Sequence, residues 1–131
     1  MKKLFFLLVI VAFFVASPLM AAQMQTFKSG SKLLNDCTPL LTQNKNTTEL
    51  LFEASCLNYI KGVFDLHQTL VARSKIEPHI CKPTEVDLGQ IGRIIIKYLQ
   101  ANPEKLKITA SSLILPALSE AFPCPESQTE K

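Results

Sequence analysis

Four cysteines and two histidines are the side chains of this 131-residue chain best suited to chemistry, and their spacing decides which chemistry. Cys37, Cys56, Cys81 and Cys124 are separated by 19, 25 and 43 residues. Structural zinc sites usually present ligand pairs only a few residues apart. Here His79-Ile80-Cys81 is the one close pair, and no second pair answers it. There is no C-x-x-C redox motif and no C-x-x-C-H haem attachment. An even number of widely spaced cysteines in a small chain reads instead as two disulfides formed in an oxidising compartment.

The remaining candidates for catalysis do not assemble. Asp65 lies two residues from His67, so on a helix the two side chains face different ways. A serine triad would have to recruit Ser55, Ser74, Ser111 or Ser112, none of which sits in a nucleophile-elbow motif. No Gly-rich phosphate loop is present, and four glycines with no tryptophan leave little from which to build a deep loop-lined site. The sequence therefore reads as a non-enzyme, with no catalytic residue, no metal site and no cofactor. Lys61 and Asp65 read as an i,i+4 surface pair. Tyr59 and Gly62 are expected to pack against a neighbouring helix.

The ends of the chain define its compartment. Met1-Lys2-Lys3 is a basic start, Leu4 to Ala16 is apolar, and Ser17-Pro18 breaks the run before Met20-Ala21-Ala22-Gln23. This is the layout of a secretory signal peptide spanning 1–22, cut after Ala21 or Ala22. The apolar run is shorter than the ~18 residues a membrane anchor needs. Residues 23–131 are then one exported, periplasmic domain with no membrane attachment. Losing Lys2 and Lys3 lowers the formal net charge from +3 to +1, far from the dense basic face that nucleic-acid binding requires.

Apolar periodicity places four helices in this domain. Gln23 to Ser31 is polar and expected to fray. A short helix covers Lys32 to Cys37, and Thr42 to Thr48 is a polar loop. Thr48 is expected to cap a long helix reaching Arg73, with Leu50, Ala54, Leu57, Ile60, Val63, Phe64, Leu70 and Val71 on its apolar face. Thr84, with Asp87 three residues on, is expected to cap the third helix, whose face is Leu88, Ile91, Ile94, Ile95, Tyr98 and Leu99. Asn102-Pro103 ends it. Thr109 is expected to cap the last helix, with Leu113, Ile114, Ala117, Leu118, Ala121 and Phe122 inward. Pro116 falls inside that helix and predicts a kink between Ser112 and Pro116. Pro125 to Lys131 is polar and expected to be disordered.

Four cysteines allow three pairings, and antiparallel helices favour one. Cys37 ends the first helix and Cys56 is early in the second, so a hairpin joins them. Cys81 precedes the third helix and Cys124 follows the fourth, so those ends also meet. The expected fold is all-α: a compact four-helix domain of two helical hairpins, braced by Cys37–Cys56 and Cys81–Cys124.

Cys56-Leu57-Asn58-Tyr59-Ile60-Lys61-Gly62-Val63-Phe64-Asp65 resembles the C-x-x-Y-I-x-G-V-x-D signature of the Rap/Tai-type immunity proteins. The resemblance continues through Ile80-Cys81-Lys82-Pro83 and Tyr98-Leu99-x-x-x-Pro103. It closes with Ala117-Leu118-x-x-Ala121-Phe122-Pro123-Cys124, so it spans about Asp36 to Cys124. Pro116 departs from the pattern, as does Ile80, where an aromatic often precedes the cysteine. The resemblance implies a small all-α domain, often a homodimer, that binds a type VI secretion peptidoglycan amidase and blocks its active site. The signature marks scaffold residues and does not identify the toxin-contacting ones. The exposed loop Asn102-Pro103-Glu104-Lys105 is the candidate contact, its alternative being a plain interhelical turn. The alternative function is a periplasmic helical chaperone or adaptor without catalytic activity. Client protection at low pH would distinguish that from inhibition of an amidase.

Overall fold

A computed structural model describes residues 27–125 of the chain. The expected signal peptide and the tail beyond Pro125 lie outside the described residues. Among the described residues four α-helices follow in order: α1 (Gly30–Cys37), α2 (Thr47–Ala72), α3 (Leu88–Ala101) and α4 (Ser111–Ala121). Short 3-10 turns at Thr38–Leu41 and Pro103–Lys105 follow α1 and α3. Among the described residues no strand forms beyond one isolated antiparallel bridge, Ser29 to Thr109. α1 and α2 form one hairpin and α3 and α4 the other, as the cysteine spacing predicts. Both expected disulfides are present: Cys37–Cys56, with Cα atoms 5.1 Å apart, and Cys81–Cys124, at 4.9 Å.

The core lies where the inward stripes of the four helices converge. Leu33, Cys37, Cys56, Ile60, Ile95, Leu99 and Ile114 are completely buried, with Leu113 and Leu118 almost so. α3 buries a wider face than its periodicity predicts, because Ile96 and Gly92 are also inside. Gly92 is there for space. A Cβ at that position would stand 2.5 Å from Leu40 Cδ1 and 3.2 Å from Leu57 Cδ2.

The helix starts differ from the expected ones by a few residues, each for a local reason. Asn46, not Thr48, caps α2: its side chain accepts the Glu49 backbone N–H while Glu49 accepts the Asn46 N–H. Asp87, not Thr84, caps α3, and Gln90 reciprocates. In both cases a carboxylate or amide three residues on completes a capping box, which a threonine alone does not provide. Thr109 caps nothing; its hydroxyl shares a 2.7 Å hydrogen bond with Ser112 Oγ, and Ala110 opens α4. Pro116 leaves α4 one continuous helix to Ala121. Both Pro116 and Ser112, whose carbonyl loses its i+4 donor, are solvent-exposed, so water replaces the missing partner. α2 ends in a Schellman turn, with Ser74 at φ 52° and N–H bonds from Lys75 to Leu70 O and from Ser74 to Val71 O.

Three further expectations are corrected by packing. The segment Lys28–Ser31 is bound rather than frayed: Ala110 N–H donates to Lys28 O, Gly30 N–H to Ile108 O and Ser31 N–H to Leu106 O. These bonds join the first hairpin to the second. Leu50 and Ala54 are exposed, because the inward stripe of α2 runs through Glu49, Glu53, Cys56, Ile60 and His67 and both residues point away from it. Gly62 meets no neighbouring helix; an added Cβ there would have nothing within 4 Å. Besides Gly92, a close approach occurs at Gly30, where a Cβ would stand 2.4 Å from Leu113 Cδ1 and 3.0 Å from the Leu106 backbone. Gly62→Ala is expected to raise stability by about 0.5–1 kcal/mol, the helix-propensity difference. Gly30→Ala is expected to lower it by about 1–3 kcal/mol through overpacking. Urea denaturation of the two variants checks both signs.

Candidate functional site

The candidate contact loop is built from the end of α3. The Asn102 N–H donates to Leu99 O, and Pro103 then prevents helix continuation and starts the 3-10 turn. Asn102 ties the turn together. Its Nδ2 donates to Tyr98 O at 2.9 Å, and its Oδ1 accepts from Lys105 Nζ at 2.7 Å. The Lys105 ammonium also stands 5.8 Å from the Tyr98 ring centroid, in cation–π range. Pro103, Glu104 and Lys105 are exposed and Asn102 is half-buried. The turn is thus a fixed, polar projection.

Beside it a groove of about 350 Å³ runs between α3 and α4, lined by Ile94, Tyr98, Asn102, Ala117, Glu120 and Ala121, among others. Only Asn102 of the four predicted residues lines it; Pro103, Glu104 and Lys105 stand outside. The groove walls carry a sequence signal that loop reasoning passes over. Ile94 and Tyr98 are one turn apart on α3, opposite Ala117 and Ala121 one turn apart on α4. Large residues facing small ones leave a furrow between two helices.

The groups weighed for chemistry stay apart. Among the described residues, no three His, Cys, Asp or Glu side chains gather closely enough to hold a metal ion. Lys61 and Asp65 form the expected exposed i,i+4 pair. Tyr59 is half-buried, and the Lys28 ammonium lies 4.9 Å from its ring centroid. His67 is 5 % exposed, stacks on Phe64 with ring centroids 6.5 Å apart, and has a buried Nε2 with no hydrogen-bond partner.

Burial holds the His67 imidazole below its ordinary pKa, and His79 pushes the same way. The native state therefore favours the neutral ring. Its contribution to stability is present above the unfolded value of ~6.5 and is lost as pH falls below it, because the unfolded chain takes up the proton first. His67→Leu is expected to remove that loss while changing stability at neutral pH by less than about 1 kcal/mol, since an apolar replacement leaves no orphaned nitrogen. Denaturation curves between pH 7 and pH 5 test this.

The family model of Rap1a immunity proteins matches residues 29–124, from the Ser29 bridge to the second disulfide. The chain belongs to the Rap1a immunity protein family. No curated protein and no solved structure matches it. Membership accounts for the resemblance carried by the Cys56–Asp65 signature. An immunity protein acts on an effector protein, so the relevant site of this Rap1a-family chain is a docking surface. In α2 the signature residues Cys56 and Ile60 are core, Leu57, Tyr59, Val63 and Phe64 are half-buried, and Gly62 is exposed.

Proposed function

We propose that this chain is a periplasmic immunity protein that binds a type VI secretion peptidoglycan amidase and inhibits it without catalysis of its own. The observation that carries the reading is the family match over 29–124, coextensive with the disulfide-braced domain. A rigid domain loses little conformational entropy on binding, which suits tight occlusion of an active site. The signal-peptide layout of 1–22 and the two disulfides favour an oxidising periplasm. The loop Asn102–Lys105 and the groove beside it form one candidate contact with the effector, and a homodimer is part of the same reading.

The test is co-expression. An amidase effector encoded beside this gene, directed to the periplasm of a laboratory host, is expected to lyse cells. Co-expression of this chain with its leader is expected to prevent lysis, and the same chain without its leader is not. Lysis unaffected by the exported chain overturns the proposal.

A further inference from the structure

The two disulfides of this fold differ in what surrounds them. Cys37 and Cys56 are completely buried in the core. Cys81 is exposed and Cys124 half-exposed, where the connection from α2 to α3 meets the end of α4. A cavity of about 390 Å³ opens at that junction, and Cys124 is part of its wall. Glu77, Pro78 and His79 of the connection line the same cavity, together with Ser119 of α4.

The backbone keeps this bridge at the surface. Cys124 stands between Pro123 and Pro125, and a residue before proline is pushed into extended backbone. Pro78 does the same to Glu77 in the other arm. The Cys81 N–H donates to Phe122 O at 2.9 Å and lays the two arms side by side. Thiol–disulfide exchange depends on access, on which sulfur is attacked and on how readily the other leaves. The cavity supplies the approach to Cys124. The sulfur that would leave is that of Cys81, and the exposed His79 lies two residues from it. An imidazole there can deliver a proton to the departing sulfur.

We propose that this cavity is a thiol–disulfide exchange site whose partner is a protein dithiol of the Cys-x-x-Cys class. The partner's thiolate attacks Cys124 Sγ, the Cys81–Cys124 bond breaks, and a mixed disulfide joins Cys124 to the partner. Cys81 departs as a thiolate and takes a proton from His79. The partner's second thiol then attacks its own sulfur in the mixed disulfide and releases Cys124 as a thiol. The chain gains two electrons and two protons, and the partner is left as a disulfide. A dithiol is required for net opening, because the bond to Phe122 O keeps Cys81 within reach of Cys124 and a monothiol adduct is reversed. Opening frees the connection from α4, while Cys37–Cys56 keeps the first hairpin closed. The proposal does not rest on the immunity reading.

The probes are reduced glutathione and a thioredoxin-fold protein whose resolving cysteine is replaced by serine. Each is mixed with the disulfide-intact chain, quenched in acid and mapped by peptide mass. Both probes are expected on Cys124, with Cys81 free and Cys37–Cys56 intact. His79→Gln is expected to slow opening by glutathione about tenfold or more, as loss of a general acid does. Its thermal midpoint should match that of the unaltered chain, because the ring is exposed. Adducts mainly on Cys81 overturn the proposal, as does attack on Cys37–Cys56 at a comparable rate. An unchanged rate in His79→Gln overturns the proton transfer. Capture of glutathione without capture of the protein thiol overturns the assignment to a protein partner.

Discussion

Replacing Cys81 and Cys124 together by serine is expected to lower the unfolding free energy by about 4 kcal/mol, against about 3 kcal/mol for the Cys37 and Cys56 pair. The larger figure follows from loop size, since the bridges enclose 43 and 19 residues. Packing makes the first loss more consequential. The connection from Arg73 to Asp87 has few ties to the body: Ile80 is buried, the Cys81 N–H donates to Phe122 O, and Cys81 is bonded to Cys124. Removing the covalent tie leaves buried Ile80, half-buried Val86 and one hydrogen bond to hold it. Domains of this size have about 5–15 kcal/mol in all, so the double variant should sit near its unfolding threshold at 37 °C. Reduction should follow accessibility. Cys37 and Cys56 are completely buried, while Cys81 is exposed and Cys124 half-exposed. Mild thiol treatment of the native protein is expected to open Cys81–Cys124 first, with Cys37–Cys56 surviving until global unfolding. Alkylation and peptide mapping read the order, and urea curves read the energies. Equal losses in the two double variants would remove the loop-size argument.

The parts of this fold that were legible in the sequence are those set by local pattern and by strong punctuation. Proline at 78, 83, 103 and 123 and apolar steps of three and four residues delimit the helices. Two hairpins then leave one economical pairing of the cysteines. The Asn102 turn was also legible, because Asn-Pro after an apolar helix stops it. Other features depend on contacts between distant residues. The bond from Ser31 N–H to Leu106 O spans 75 positions, and no feature near Ser31 announces it. Nor does apolar spacing alone pick the buried stripe of α2: Leu50, Ala54, Leu57 and Ile60 step by three and four, yet the stripe runs through Glu49, Glu53, Cys56 and Ile60, so Leu50 is exposed while Ile60 is completely buried. Ten residues apart, the two side chains point about 80° apart around the helix. Asp36 is the instructive omission. It shares a helix face with Leu33 and Cys37, both fully buried, and lies four residues after Lys32, so a buried charge with an i,i+4 partner was there to be read.

Asp36→Ala is expected to cost about 3 kcal/mol, the lower end of the range for breaking a buried ion pair from one side. The carboxylate is almost wholly buried and accepts from Lys28, Lys32 and Ser55, at 2.8, 2.8 and 3.2 Å. Lys32 is more than half exposed and would turn to water. Lys28 is 16 % exposed and would keep only Ser55 Oγ, at 3.0 Å, and the face of Tyr59. The same carboxylate ties α1 to α2 through Ser55 and fixes the segment that pairs with Thr109, so the loss should spread to both hairpin contacts. A pH series separates charge from packing. Burial alone would raise the Asp36 pKa, but the bonds and charges of Lys28 and Lys32 outweigh it and hold the group below its usual value. Its stabilisation is therefore complete above about pH 4 and is lost as pH falls through the native-state pKa. The gap between the unaltered chain and Asp36→Ala should be constant from pH 7 to about pH 4 and then narrow. Asp36→Asn, which keeps the shape and one acceptor, should fall between them and show no acid component from this site. His67 acts in a different window, beginning near pH 6.5, so its contribution subtracts cleanly from that of Asp36. A gap that stays constant down to pH 2 would mean that Asp36 holds the helices by shape alone, and the ionic account of this junction would be wrong.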